Sequence, residues 1–227
     1  MASAISTGMG RKRRVFIVDD HAMVRQGLTL LIDREADLMV CGDAQEAHAA
    51  LQTMATLEPD ILIVDISLNG PDGLDLVKAV RSRSPLLPIL VLSMHDELIY
   101  AERAIRAGAN GYIMKQEATD RMLIALRRIL DGDIYLSERA ASRIVQQYVR
   151  GSHEGQRSAL SGLSDRELEV FRLIGEGHTT RHIADELHLS IKTVETYQAH
   201  IKEKLLLRNA RELVQRAIEW HMTPATR

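Results

Sequence analysis

Four short, uninterrupted apolar runs punctuate the first half of the chain: Val15-Phe16-Ile17-Val18, Leu38-Met39-Val40-Cys41, Ile61-Leu62-Ile63-Val64 and Ile89-Leu90-Val91-Leu92. A fifth, Gly111-Tyr112-Ile113-Met114, follows. Runs of this length, rich in β-branched residues, predict strands buried on both faces. Stretches of helical spacing separate them, such as Leu74-Val77-Val80 and Leu123-Leu126-Leu130. Five strands alternating with five helices predict an α/β, doubly wound five-stranded parallel sheet in the flavodoxin-like order, because right-handed crossovers leave few other topologies.

After Gly132 the rhythm changes. Leu136 to Val149 predicts one more helix, capped by Ser137. The stretch from Arg150 to Ser158 is polar, carries Gly and Ser and has no period, so it reads as a flexible linker. From Leu163 to Trp220 every segment is helical in pattern, which predicts a small all-α domain. The predicted organisation is a first domain at 13–132, a linker helix and linker at 133–160, and a second domain at 161–222.

Composition narrows the reading. The fractions of hydrophobic (45%) and charged (26%) residues are those of an ordinary soluble protein. A net charge of −2 excludes a globally basic nucleic-acid binder, so any DNA-binding surface must be local. The single cysteine, Cys41, excludes an intrachain disulfide and reads as a small buried core residue. Met1 to Gly10 lacks the apolar core of a signal peptide, and no run is long enough to span a bilayer. A cytoplasmic protein without membrane contact is expected. Arg11-Lys12-Arg13-Arg14 reads as a solvated lead-in to the first strand.

Ligands of doubly wound sheets bind at the C-terminal ends of the strands. There the first strand ends in Asp19-Asp20, the third in Asp65 and the fourth in Ser93, and Lys115 follows the fifth. Two carboxylates about 4 Å apart repel by roughly 4 kcal/mol at an effective dielectric near 20. A hard cation holding a few carboxylates and several waters, as Mg²⁺ does, would neutralise such a cluster. An anion made on Asp65 would then face the cation on one side and Lys115 and Ser93 on the other, which is equipment for phosphoryl transfer to a carboxylate. Taken singly, Asp20 reads first as a helix cap or loop residue, Ser93 also fits a cap of the following helix, and Lys115 a solvated charge.

This pattern resembles the receiver domain of two-component response regulators. The resemblance implies that Asp19 and Asp20 bind Mg²⁺ and that Asp65 is the phosphoacceptor. It further implies that Ser93 is the switch hydroxyl, Tyr112 the switch aromatic and Lys115 the conserved-type lysine. The backbone carbonyl of Ser67 is implied as a further Mg²⁺ ligand, and the backbone N–H of Met94 lies next to the switch hydroxyl. On phosphorylation Ser93 would turn toward the phosphoryl group and Tyr112 inward. A swing from 1:99 to 99:1 needs about 5.5 kcal/mol, within reach of a few charge-assisted contacts. The sequence departs from the family at Asn69, where a proline is common, with Pro71 two residues on, and at the bulky Met94.

In the second half, Ser164-Asp165-Arg166-Glu167 reads as a capping box, with Leu168, Val170, Phe171 and Ile174 as the apolar stripe. Thr180 to Leu187 is a short helix, His188-Leu189-Ser190 a tight turn, Ile191 to Leu205 a longer helix, and Arg211 to Trp220 a fourth. Two helices joined this way describe a helix-turn-helix. Residues 192–211 carry Lys192, Lys202, Lys204, Arg208 and Arg211 against Glu195 and Glu203, a local net of +3. The stretches from Leu163 to Val170, Glu176-Gly177, Ile183-Ala184 and Ser190 to Tyr197 resemble the LuxR-type DNA-binding domain. The whole chain is thus similar to NarL/FixJ-type response regulators.

That resemblance implies that the helix from Ile191 enters the major groove of double-stranded promoter DNA. Glu195, Thr196 and Ala199 would face base edges, and Lys192, Thr193, Tyr197 and Lys202 the phosphates. Val194, Ile201 and Leu205 read as core. Residues Val214 to Trp220 read either as a homodimer contact or as core. Leu206 stands where the family often ends the helix in glycine, so a remodelled or weakened helix end is expected. A sensor histidine kinase is the implied phosphoryl donor, with self-phosphorylation from a donor the sole chemistry, so the chain is not read as an enzyme. An aspartyl-phosphate phosphatase would commonly carry a second Asp where Ser67 stands. The remaining alternative is a phosphorylation-independent DNA-binding regulator with a vestigial receiver.

Overall fold

A computed structural model describes residues 11–68, 73–149 and 159–222. It divides into two compact units, one up to Ser137 and one from Glu138. Residues 69–72, with Asn69 and Pro71, and the predicted linker at 150–158 lie outside the described residues.

The first unit contains strands β1 (Arg13–Val18), β2 (Leu38–Ala44), β3 (Ile61–Asp65), β4 (Ile89–Ser93) and β5 (Gly111–Met114). Helices α1 (Ala22–Asp33), α2 (Ala47–Leu57), α3 (Gly73–Arg83), α4 (Glu97–Ala107) and α5 (Ala118–Leu130) alternate with them. All pairings are parallel, in the order β2-β1-β3-β4-β5. The chain order reverses between β1 and β3, so the carboxyl ends of those two strands flank the natural ligand crevice.

The three central strands carry the core. Val15, Ile17, Ile61, Ile63, Leu90 and Leu92 pack with Leu28 and Ile32 of α1 and Met122, Leu126 and Ile129 of α5. Burial of each such side chain is worth about 1.5–3 kcal/mol, so these strands are held rigidly and their ends are fixed in space. After α5 the chain reverses at Gly132, whose φ of 97° suits glycine. Tyr135 then runs beside β5, donating its N–H to Asn110 O at 2.9 Å and accepting from Tyr112 N–H at 3.0 Å.

Three expectations are corrected here. β2 is not buried on both faces: it pairs with β1 alone, and Met39 is 39% exposed. Cys41, on the same edge strand, is therefore half-buried rather than a core residue. The basic run is not only a solvated lead-in, because β1 begins at Arg13. Lys12 Nζ donates to Glu35 O at 2.8 Å, and the Arg14 N–H donates to the Asp60 carboxylate at 2.8 Å.

The second unit comprises α6 (Glu138–Val149), α7 (Asp165–Gly175), α8 (Thr180–Glu186), α9 (Ile191–Lys204) and α10 (Ala210–Met222). Helix α7 is buried from Arg166 to Gly175 except at Arg172, Leu168, Val170, Phe171 and Leu173 being almost fully enclosed. Its capping box is complete: Ser164 Oγ accepts from Glu167 N–H, and the Glu167 carboxylate accepts from Ser164 N–H at 2.7 Å. Burial pushes the Glu167 carboxyl up, but Lys204, at 2.6 Å, and the Ser164 N–H outweigh it and hold it below its ordinary value. Thr179 and Ser190 cap α8 and α9 through their side-chain oxygens.

Helices α7, α8 and α9 all end in the same left-handed turn, at Gly177 (φ 87°), His188 (φ 51°) and Leu206 (φ 56°). In the last, Leu206 N–H donates to Glu203 O and Leu207 N–H to Lys202 O at 2.8 Å, the paired bonds of a Schellman motif. The helix end is thus not remodelled around Leu206: the backbone keeps the turn that usually takes glycine and leaves the side chain 89% exposed. Val194 and Ile201 are core as expected, whereas Leu205 is only half-buried, because it already lies in the turn.

Candidate functional site

The carboxyl ends of β1, β3, β4 and β5 bring Asp19, Asp65, Ser93 and Lys115 together. Asp19, Asp65 and Ser93 are each at most 1% exposed. Lys115 Nζ lies 2.7 Å from Asp65 Oδ2 and 2.7 Å from Asp19 Oδ2. Asp20 borders the same cluster, with its carboxylate 2.6 Å from His21 Nδ1. Asp65 Oδ1 is buried with no hydrogen-bond partner among the described residues. Asp19 Oδ2 and Asp20 Oδ1 likewise lack a well-aligned hydrogen bond, their near neighbours being the ion-pair contacts from Lys115 and His21.

The electrostatics follow from this enclosure. Burial pushes the Asp65 carboxyl up to about 6; Lys115 pulls it down and Asp19 pushes it up further. Burial alone would lower the Lys115 ammonium, but Asp65 and Asp19 outweigh it and raise it, so it stays charged. One ammonium faces three carboxylates, Asp19, Asp20 and Asp65, so negative charge is in surplus. A surplus of buried carboxylate with an orphaned oxygen fits a hard divalent cation.

Ser93 does not cap the following helix. That place belongs to Asp96, whose side chain accepts from Leu98 N–H at 2.9 Å. Instead Ser93 Oγ accepts from His95 N–H at 3.0 Å. Tyr112 is buried, and its hydroxyl donates to His95 O at 2.8 Å; burial drives this phenol well above its ordinary value. Met94 is 59% exposed beside the pocket.

Two residues here escaped the sequence reading. His95 is buried, shares a hydrogen bond with Ser67 Oγ at 2.9 Å and stacks on Tyr100 with centroids 4.6 Å apart. It links the loop after β3 to Ser93, Tyr112 and α4. No sequence signal marks it, since its partners lie far apart in the chain. Gly73 is the second: a Cβ there would fall 1.9 Å from Asp65 O, because its N–H folds back onto Ile66 O at 2.9 Å. The Pro71-Asp72-Gly73 sequence carries a turn signature that hinted at it.

In the second unit, α8, its turn and α9 form a helix-turn-helix. Lys192, Glu195, Thr196 and Ala199 are exposed along one face of α9, at helical spacing. Thr193, Tyr197 and Lys202 are half-buried at its margins. The Thr193 hydroxyl is bonded to Ser190 Oγ at 2.7 Å, and the Thr196 hydroxyl donates to Lys192 O. Lys204 is held by Glu167, which removes it from the local positive excess. On α10, Leu213 and Ala217 are core while Val214 and Ile218 are 44% and 38% exposed, so the stretch from Val214 to Trp220 is part core and part surface. Among the described residues no helix is long and apolar enough to cross a membrane.

Comparison with known proteins agrees with this architecture. Residues 15–127 match the response regulator receiver domain, and residues 161–217 match the bacterial regulatory proteins of the luxR family. The oxygen regulatory protein NreC of Staphylococcus haemolyticus is 34% identical over 210 residues, covering 91% of this chain and 97% of that protein. A LuxR-family two-component response regulator from Aurantimonas sp. SI85-9A1 aligns with a TM-score of 0.57 at 32% identity, over 61% of this chain and 99% of that one. RcsB from Salmonella enterica serovar Typhimurium, bound to promoter P1flhDC in the presence of phosphomimetic BeF3-, aligns with a TM-score of 0.56 at 27% identity, over 90% and 97%. The chain belongs to the NarL/FixJ-type response regulators, transcription regulators that join a receiver domain to a LuxR-type DNA-binding domain.

Proposed function

We propose that Asp65 accepts a phosphoryl group from a sensor histidine kinase and that this controls binding of double-stranded promoter DNA by α9. The observation that carries the reading is the Asp65 carboxylate itself: one oxygen is held by Lys115, and the other, buried at the strand end, lacks a well-aligned hydrogen bond and keeps a lone pair to attack phosphorus. An oxygen–phosphorus bond forms at Asp65 as the donor's phosphorus–nitrogen bond breaks. Asp19, Asp20, Asp65 and the Ser67 backbone carbonyl would hold Mg²⁺, which when bound supplies positive charge to the phosphoryl oxygens. Lys115 sets a second positive charge against them. Ser93 Oγ, already accepting from His95 N–H, keeps its own proton to donate to the new anion. Tyr112 and His95 then relay the rearrangement toward α4, through the hydrogen bond they share.

In this reading residues 13–132 are the receiver, 133–160 the connecting helix and linker, and 161–222 the DNA reader, working in the cytoplasm as a homodimer when active. Glu195, Thr196 and Ala199 read base edges from the exposed face of α9, and Lys192, Thr193, Tyr197 and Lys202 contact phosphates, which supply affinity rather than sequence. Val214 and Ile218 offer the dimer contact.

The test is intact mass after incubation with acetyl phosphate and Mg²⁺, comparing wild type with Asp65→Asn. One phosphoryl group on wild type and none on the variant is the expected result. No addition to wild type, together with promoter affinity unchanged by any phosphoryl donor, would instead favour a phosphorylation-independent regulator with a vestigial receiver.

A further inference from the structure

A second group of potential metal ligands lies in the C-terminal unit and plays no part in the function above. His178 directly precedes Thr179, the cap of α8; His182 lies in the first turn of that helix, and Glu186 is its last residue. The four-residue spacing of His182 and Glu186 stacks these two side chains on one face of α8, and His178 reaches the same place from just ahead of the cap. Their ligand atoms all lie within 4.8 Å of one another. The two imidazole rings stand parallel, 4.5 Å between centroids and 20° between planes. His182 Nε2 is 3.6 Å from Glu186 Oε2, close to the edge of about 3.3 Å that metal–ligand bonds of about 2.0 Å produce in a tetrahedron. All three side chains are exposed or half-buried, so small rotations close the set without repacking the core. Glu176, whose other oxygen is held by Arg172, stands 3.6 Å from His178 Nε2.

We infer that His178, His182 and Glu186 form a site for a borderline divalent transition metal, of the Zn²⁺, Ni²⁺ or Cu²⁺ class, with an open coordination position. Two imidazole nitrogens and one carboxylate oxygen select that class over Mg²⁺, which takes oxygen ligands alone. The bound ion ties His178, just ahead of the cap of α8, to the last residue of α8, spanning the whole seven-residue helix. A helix this short has little stability of its own. Thr180 Oγ1, at its start, accepts from Gln198 Nε2 of α9 at 3.2 Å, so the ion also steadies the support of the DNA-reading helix.

The experiment titrates Co²⁺ into the full chain in excess Mg²⁺, which occupies the Asp19–Asp20–Asp65 pocket, and follows visible absorption. One equivalent is expected to bind, and Zn²⁺ to displace it. His178→Ala, His182→Ala and Glu186→Gln should each weaken binding at least about tenfold, with unchanged circular dichroism, since the side chains are surface groups and alanine favours helix. His21→Ala, which removes the imidazole beside the acidic pocket, should leave the Co²⁺ affinity as in wild type. Absence of Co²⁺ binding, or binding lost in His21→Ala and kept in His182→Ala, overturns the inference.

Discussion

The acidic pocket and the exposed face of α9 are built in opposite ways. The pocket gathers residues from four strand ends, 19 to 115 in the chain, and buries them nearly completely. The face of α9 takes Lys192, Glu195, Thr196 and Ala199 from two turns of one helix and leaves them in water. Buried charge is held against its own desolvation, so in the pocket function and stability are coupled. Exposed groups on a well-anchored helix carry no such penalty, so there the two separate.

The strongest way to break this contrast is at Gly73, which lets the chain fold back onto Asp65. Gly73→Ala forces a Cβ into a gap of 1.9 Å from a backbone carbonyl, and is expected to destabilise the first unit by about 3 kcal/mol. Urea denaturation followed by circular dichroism would measure it; a loss below roughly 0.5 kcal/mol, the scatter of surface changes, would mean that the loop relaxes freely.

Asp65→Asn is expected to act in the opposite direction on stability while abolishing phosphorylation. The folded protein holds the Asp65 proton up to about pH 6, whereas the ordinary carboxyl releases it near 3.8. Between those values the native state binds more proton than the unfolded one, so this group works increasingly against folding as pH rises, and levels off above about 6. At neutral pH, in a chelator, the variant should be more stable than wild type by about 2–3 kcal/mol, with the difference vanishing near pH 4. A variant less stable than wild type at pH 7 would show that the Lys115 pairing outweighs burial.

Leu206→Gly relieves the left-handed residue at the end of α9 and should stabilise the second unit by about 1 kcal/mol, read as a rise in thermal midpoint. The smallest stability effect belongs to Lys192→Ala. Folding should stay within about 0.5 kcal/mol of wild type, while DNA binding weakens for all sequences alike and the salt dependence falls by about one counterion. A stability loss as large as that at Gly73 would erase the distinction between the two regions.

The degree to which each region was legible in sequence follows the same division. Continuous apolar runs announced β1, β3 and β4, because a strand covered on both faces has no polar positions to interrupt it. The same signal misread β2 and Cys41: an apolar run does not say whether a strand is central or at the edge. Asp19, Asp65, Ser93 and Lys115 were legible because each ends or directly follows a strand, and parallel topology places strand ends side by side. Around them, Ser93 reads in sequence as either a switch or a cap, and the structure rules out the cap, since Asp96 takes it. Leu205 followed the helical stripe into the predicted core, but the helix closes before it and leaves it half-buried.

By itself the sequence determined the element order, the doubly wound class, the helix-turn-helix and the capping box at Ser164, all of which depend on contacts within a few residues or on chain periodicity. Tertiary structure alone decided that Asp65 keeps one oxygen unpaired, that Gly73 must have no side chain, that His95 bridges Ser67, Ser93 and Tyr112, and that His178, His182 and Glu186 converge with stacked rings. The physical reason is range. Propensity and pattern are local, whereas burial, hydrogen-bond completion and close approach depend on which distant segments the packed core brings into contact.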